Sequence, residues 1–386
     1  MNIVFLSPNF PPNYEHFCVH LRALGAQVLG VAEQPYDTLS PTLRAALSEY
    51  YLVSDLHHYD EVLRALGYFT HRYGRIDRVE SLNEHWLETE ARLRTDFNVE
   101  GFKLAELPGI KRKSEMKRLF AKAGVEVARG AIVRTPAQAR AFVAEVGLPV
   151  VAKPDVGVGA AKTYKITSEQ ELEEFLEKPL VGYLLEEWVQ GVIQTFDGLT
   201  DRAGNPVFYT SMQYSSGVME VVNNDDDVYY YTQRDIPPDI ERAGRAIIGA
   251  FGVRERFFHF EFFRTPEGRL VALEVNMRPP GGLSLDMFNF ANDIDLYYEW
   301  ANVLVHGRFG SSFDWPYHAC YVSRKHSKRY VHSHEQVLER YGRQIVLQQP
   351  MASVFRRAMG DHGYIVRSPD LEEVLEIARF IQEKQA

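Results

Sequence analysis

The stretch from Phe257 to Gly282, FFHFEFFRTPEGRLVALEVNMRPPGG, constrains this chain more than any other. Two aromatic and β-branched runs, Phe257 to Phe263 and Leu270 to Asn276, flank Pro266 to Gly268, which predicts a β-hairpin. Side chains alternate along a strand, so His259 and Glu261 share a face of the first. Glu274 and Asn276 share the face of the second opposite Val271, Leu273 and Val275. With the turn centred between Glu267 and Gly268, Glu261 falls across from Glu274 and His259 across from Asn276. Directly opposed residues have Cβ atoms about 4.5–5.5 Å apart, where like charges are destabilising. A hard divalent cation offsets that repulsion, because Mg2+ takes oxygens from one or two carboxylates and completes its octahedron with water and phosphate oxygens. Asn276 would add a neutral amide oxygen. The alternative is a glutamate with a raised pKa, or one facing solvent at a sheet edge. Asn276 two residues on, and Arg278 next on that side, favour the metal.

A second signal is LPVVAKPDVGVGAAKTYKI, Leu148 to Ile166. An apolar strand brings Lys153 to its end, a glycine and alanine loop runs from Asp155 to Ala161, and Lys162 opens a return strand. Gly157 and Gly159 let the backbone approach a ligand and aim N–H groups at phosphate oxygens. No Gly-Lys-Ser or Gly-Lys-Thr follows, so this is not the P-loop of the common nucleoside triphosphatases. Read alone, it is as compatible with a simple turn. The third signal, VGYLLEEWVQG from Val181 to Gly191, is an apolar run ending in two acids and an aromatic. Such a strand can border a flat apolar slot and read the edge of a base, or can simply anchor a surface strand through Trp188.

The rest of the chain supplies a frame. Ile3 to Leu6, a helix with Phe17, Leu21 and Leu24 capped by Asn13, and Val28 to Val31 predict a β-α-β start. Tyr51 to Val53, a helix around Tyr59 to Tyr73, and a strand near Ile76 to Val79 continue a parallel sheet. The turn Ser7 to Asn13 lacks a dinucleotide fingerprint. From Lys111 the pattern changes: Ser114 caps a helix through Lys122, and strands then dominate. The last helix carries Leu371, Val374, Leu375, Ile377 and Ile381, opened by Ser368, Pro369 and Asp370. The expected domains are 1–110, 111–310 (lobes 111–187 and 188–310) and 311–386. The chain has 386 residues, 45% hydrophobic, with a formal net charge of -9, which argues against non-specific binding to nucleic acid or anionic membrane. Cys18 and Cys320 are too few for a disulfide framework or a thiolate zinc site. Neither a signal peptide nor the roughly 18 consecutive apolar residues of a membrane-spanning helix is evident, so a cytoplasmic protein is expected.

Together these stretches resemble the ATP-grasp superfamily, of the carboxylate–amine or carboxylate–thiol ligase type and its biotin-carboxylase-like branch. The resemblance adds KRKSEMKRLFAKAGV with Lys113, and GDHGYIVRSPDLEEVLEIARFI from Gly360 to Ile381. It implies an α/β and α+β architecture: a Rossmann-like preceding domain, a two-lobed ATP-grasp fold and a C-terminal lobe. It further implies ATP and Mg2+ as cofactors, with one or two metal ions and Mn2+ an acceptable substitute. Lys113 and Lys153 would contact ATP phosphates, Lys153 the adenine as well, and Gly157, Gly159 and Ala160 would form a lid. Glu186, Glu187, Trp188 and Val189 would meet the adenine edge. Glu261, Glu274 and Asn276 would hold the metal, and Arg278 would face the γ-phosphate and an acyl phosphate. The family's ribose-binding acid is replaced by Ile193, leaving Gln194 or Asp197 to serve, and Arg112 stands where an acid often precedes the first lysine.

The expected function is an ADP-forming, ATP-dependent carboxylate–amine ligase acting on small-molecule carboxylate and amine substrates, without nucleic acid or membrane partners and with a homodimer allowed. A non-catalytic ATP-binding sensor or scaffold and an ATP-grasp kinase are the alternatives. Asn223 to Asp227 with Tyr229 to Tyr231 and Arg234 reads as a solvated loop or a pocket for a cationic amine. Arg324, Lys325, His326, Lys328 and Arg329 read as a site for an acidic or phosphorylated substrate, or as plain surface. His259 orients a metal ligand or packs in the sheet. His57 and His58, without a matching cluster of acids or cysteines, read as surface residues.

Overall fold

The four strands at the start of the chain pair only in parallel. Strands Asn2–Leu6 (β1), Gln27–Ala32 (β2), Glu49–Leu52 (β3) and Arg78–Glu80 (β4) lie in the order β3-β2-β1-β4. Alternate residues of β1 serve two cores. Ile3 and Phe5 pack with Phe17 and Leu21 of the helix Glu15–Ala23, and Val4 and Leu6 with Val62, Leu66 and Phe69 of the helix Tyr59–Tyr73. Asn13 does not cap a helix as expected. Its amide instead donates to Asp286 (3.1 Å) and to the Tyr297 hydroxyl (2.9 Å), because the chain enters the helix through a 3-10 turn at Pro12–Tyr14. The computed structural model describes residues 1–157, 162–217, 221 and 225–385.

A second sheet holds Gly130–Val133 (β5), Val150–Pro154 (β6), Tyr164–Ile166 (β7) and Tyr183–Glu187 (β8), all antiparallel, in the order β5-β8-β6-β7. The helices Pro136–Val146 and Glu169–Leu176 cover it, capped by the Thr135 and Ser168 hydroxyls. The helix Lys113–Lys122 starts at Lys113 and is not capped by Ser114. The Asp155 carboxylate does that work from the end of β6, accepting from the Ser114 N–H at 2.8 Å.

The third sheet has nine strands: Val192–Thr200 (β9), Pro206–Thr210 (β10), Met212–Tyr214 (β11), Tyr229–Thr232 (β12), Phe257–Arg264 (β13), Leu270–Asn276 (β14), His318–Arg324 (β15), Ile345–Pro350 (β16) and His362–Ser368 (β17). The order is β14-β13-β9-β11-β12-β15-β17-β16, with β10 on β9. Residues 311–386 thus extend the sheet begun by residues 188–310. The final helix, Leu371–Gln382, opens on Asp370, whose carboxylate accepts from the Glu372 N–H at 2.9 Å, and buries Val374, Ile377 and Ile381.

Two contacts weld the N-terminal sheet and its helices to the rest of the chain, one to the helix Leu296–His306 and one to the β13–β14 hairpin. Phe17 packs edge-on against Tyr297 and Trp300, with ring centroids 4.8 and 5.0 Å away. A buried quartet joins Glu80 and the helix residues Glu90 and Arg94 to Arg256, which reaches Glu80 at 3.2 Å and Glu90 at 2.9 Å. Arg94 lies 2.9 Å from both acids. Arg256 Nε also donates to the Met277 carbonyl at 2.7 Å, so one guanidinium grips the residues flanking both strands of the hairpin. Both cysteines are free and buried. Among the described residues no helix is long and apolar enough to cross a membrane.

Candidate functional site

β13 and β14 pair as the alternation requires: Glu261 lies opposite Glu274, and His259 opposite Asn276. The route to that register differs from the expected one. Arg264 pairs with Leu270, which centres the turn on Glu267, and Leu273 then stands unpaired as a bulge that shifts the register by one. The two offsets cancel at the acids. Without an offset, the opposed carboxylates would repel, and each has its own cation. Lys113 Nζ lies 3.0 Å from Glu274 Oε1, and His259 Nε2 is 2.9 Å from Glu261 Oε1.

His259 is positioned from β9, where Asp197 is its register partner and accepts at 2.5 Å from Nδ1. Burial disfavours the imidazolium, but Asp197 and Glu261 outweigh it, raising the His259 pKa to about 9. Glu261 moves the other way: burial pushes it up, and His259, Arg278 and Lys113 together hold it below the usual carboxylate range. Glu261 therefore stays ionised among cations, as a ligand for a hard dication must be. Two carboxylates and the Asn276 amide oxygen, which here accepts from Arg278 at 3.3 Å, fit Mg2+ in donor type.

Lys113 also ties the two sheets together, since its ammonium donates to the Gly157 carbonyl at 2.8 Å. Gly157 has φ +152°, inside the region that favours glycine. Gly159 and Ala160 lie outside the described residues, as do Asn223 and Asn224. One helical turn beyond Lys113, Lys117 reaches Glu186 at 2.6 Å, and Lys153 reaches the other oxygen of the same carboxylate at 2.5 Å. Burial opposes the charge of Glu186, but the two lysines hold its pKa down. Glu186 therefore clasps two lysines at the inner end of β8. Glu187 points the other way and binds Arg129 at 2.7 Å. Trp188 lies beneath the Lys165 ammonium, 3.7 Å from the ring centroid. A pocket of about 180 Å³ opens between Glu187, Trp188, Val189 and the hairpin turn at Thr265 and Pro266.

Both Gln194 amide atoms are engaged, one donating to Gln213 at 3.0 Å and the other accepting from Arg264 at 3.1 Å. Asp197 is fully buried behind His259, also bonded to Thr195, so it serves the imidazole. Arg278 stands where the hairpin meets the first domain. There it pulls on buried Glu84, whose carboxyl is pushed up by burial and whose Oε2 has no hydrogen-bond partner among the described residues.

Glu84, Lys117 and the Asp197–His259 pairing escaped the sequence reading. Only Lys117 carried a local signal, the four-residue spacing from Lys113 that places both on one helix face. The acidic and basic patches considered as rival substrate sites meet each other: Asp225 pairs with Lys325 at 2.9 Å, and Asp227 accepts from Tyr330 at 2.8 Å. Arg234 is spent on the Trp315 and Pro369 carbonyls. The reading of His57 as lacking acids is corrected. His57 is exposed but stands with Asp55 and Glu33, because loops distant in sequence converge there.

Residues 146–286 match the family model described as an ATP-grasp domain. The carbamoyl phosphate synthase large chain of Thermotoga maritima is 30% identical over 195 residues, 45% of this chain but 17% of that protein's length. The L-amino acid ligase from Bacillus licheniformis superposes with a TM-score of 0.73 at 16% identity, over 98% of this chain and 96% of that one. The biotin carboxylase domain of the 2-oxoglutarate carboxylase from Hydrogenobacter thermophilus, solved with MgADP and bicarbonate, gives 0.69 at 16% identity, over 98% and 88%. At these identities the superpositions speak to the fold.

Proposed function

Because this chain carries an ATP-grasp domain, we propose that it is an ATP- and Mg2+-dependent, ADP-forming ligase that joins a carboxylate to an amine. The observation that carries the reading is the register of the hairpin, which opposes Glu261 to Glu274 beside Asn276 and within reach of Lys113. A Mg2+ ion bound there would neutralise charge on the β- and γ-phosphates. The chain's own groups do the rest. Lys113, which a cation on Glu274 would release, would turn its charge to the phosphates. Lys153 and Lys117, held by Glu186, keep the cleft beside β6 and β8 positive. A substrate carboxylate oxygen attacks the γ-phosphorus and ADP leaves. The amine then attacks the acyl carbon of the acyl phosphate and expels phosphate, and its proton passes to solvent. Arg278 can steady the acyl phosphate by a two-pronged contact, and exclusion of water from the cleft keeps it from being hydrolysed. The relative named as carbamoyl phosphate synthase large chain supports chemistry of this class.

The test is phosphate release and ADP formation with a panel of carboxylates and amines. The reading predicts that one pair stimulates turnover well above either component alone. Intact ATP binding with no stimulation by any pair would count against ligation.

A further inference from the structure

Three loops of the first domain bring four metal-ligating side chains together at the C-terminal edge of its parallel sheet. Glu33 follows β2, Asp55 and His57 follow β3, and His85 lies in the 3-10 turn Glu84–Trp86 after β4. One ligand atom each from Glu33, Asp55 and His57 lie within 4.8 Å of one another. His85 Nε2 then stands 3.0 Å from His57 Nε2. The other ring nitrogen of His57 is held by Asp55 Oδ1 at 2.8 Å, the carboxylate–histidine arrangement that fixes a ligating imidazole. Backbone N–H groups orient both acids: Leu56 donates to Glu33 at 2.8 Å and His57 to Asp55 at 2.8 Å.

From this geometry we propose that Glu33, His57 and His85, with Asp55 orienting the His57 imidazole, form a binding site for a borderline transition-metal dication of the zinc class, separate from the nucleotide site. Two imidazole nitrogens, each about 2.0–2.1 Å from a shared ion and 3.0 Å apart, subtend about 95° at it. An opening to about 3.3 Å reaches the tetrahedral angle. Imidazole with carboxylate suits zinc, nickel or copper, whereas Mg2+ prefers oxygen alone, so the donor set discriminates between this site and Glu261, Glu274 and Asn276. Ligands in open α/β sheets bind at this edge, beyond the carboxyl ends of the strands. A bound ion ties the loop after β3 to the turn that carries Glu84, and so braces the wall of the cleft that Arg278 faces. Trp86 packs against both imidazoles, with ring centroids 4.9 Å from His57 and 4.5 Å from His85, which gives the site an optical reporter.

The experiment is calorimetric titration of the full chain with Zn2+, without nucleotide and again with ADP and excess Mg2+, alongside His57→Ala, His85→Ala, Asp55→Asn and Glu274→Gln. The expected result is one zinc per chain in both conditions. His57→Ala and His85→Ala should abolish it, Asp55→Asn should weaken it about 10–100-fold, and Glu274→Gln should leave it unchanged. Co2+ substitution should give a ligand-field spectrum and quench Trp86 emission, a change absent from Trp86→Phe. The three changed side chains other than Glu274 and Trp86 lie at the surface, and melting temperatures check that every variant folds. Zinc affinity equal in wild type and the His57→Ala/His85→Ala pair overturns the proposal and leaves two imidazoles sharing a proton. Zinc binding lost in Glu274→Gln overturns it as well, by placing the ion in the nucleotide cleft.

Discussion

Replacing Arg256 with methionine tests how the hairpin is held. The guanidinium lies 3.2 Å from Glu80 and 2.9 Å from Glu90, and its Nε caps the Met277 carbonyl. Its removal leaves two buried carboxylates to share Arg94 and leaves a buried carbonyl without that donor. A unit-charge pair about 3 Å apart is worth roughly 5–6 kcal/mol at an effective dielectric near 20. Breaking a buried pair by deleting one partner typically costs about 3–5 kcal/mol. These figures describe overlapping effects, so the expected loss is about 4 kcal/mol rather than their sum. Urea unfolding without nucleotide, followed by far-UV circular dichroism, measures it. A second variant, Arg256→Met with Glu80→Leu, removes the excess negative charge and leaves Arg94 paired with Glu90 at 2.9 Å. It should regain at least half of the loss. A single-variant loss below about 1 kcal/mol, or a double variant no better than the single, would refute the reasoning.

Three further outcomes follow from the same contacts. Gly244→Ala places a Cβ 2.1 Å from Cδ1 of the fully buried Phe196, and should lower stability by about 1–3 kcal/mol in the same urea assay. Glu186 has a folded pKa depressed below its ordinary 4.5, so its stabilisation is fully present above that value and is lost as pH falls through the lower folded value. Glu186→Gln should therefore melt lower than wild type at neutral pH, with the gap narrowing below about pH 4.5 in a pH series of thermal melts. Lys113→Met removes the cation facing Glu274, so added Mg2+ should raise its melting temperature more than that of wild type. An equal rise would show that the lysine does not offset the opposed acids.

The β13–β14 hairpin was legible because strand alternation is strictly local: in FFHFEFFR, three phenylalanines on one side and His259 with Glu261 on the other are visible in eight residues. Its register came out right through two compensating irregularities, a turn centred on Glu267 and a bulge at Leu273, neither of which leaves a mark in residue type. The parallel sheet was legible for a similar reason, as short apolar runs alternate with a helical period. Caps were less so. Asn13 and Ser114 are good capping residues, yet Asp286 and Tyr297 claim the first, and Asp155 from another strand takes over the second helix end. Long-range polar partners were invisible. Asp197 meets His259 only because β9 lies beside β13, Glu84 faces Arg278 only across a domain boundary, and His57 meets His85 only at the edge of the folded sheet.

The most direct measurement is Mn2+ electron paramagnetic resonance of the full chain with ADP, comparing wild type with Glu261→Gln, Glu274→Gln and the double variant. If the facing acids hold the metal, Mn2+ binds in a nucleotide-dependent way, each single variant weakens it about tenfold or more, and the double variant abolishes it. Mn2+ bound as tightly by the folded double variant as by wild type would contradict the assignment of Glu261 and Glu274 as its ligands.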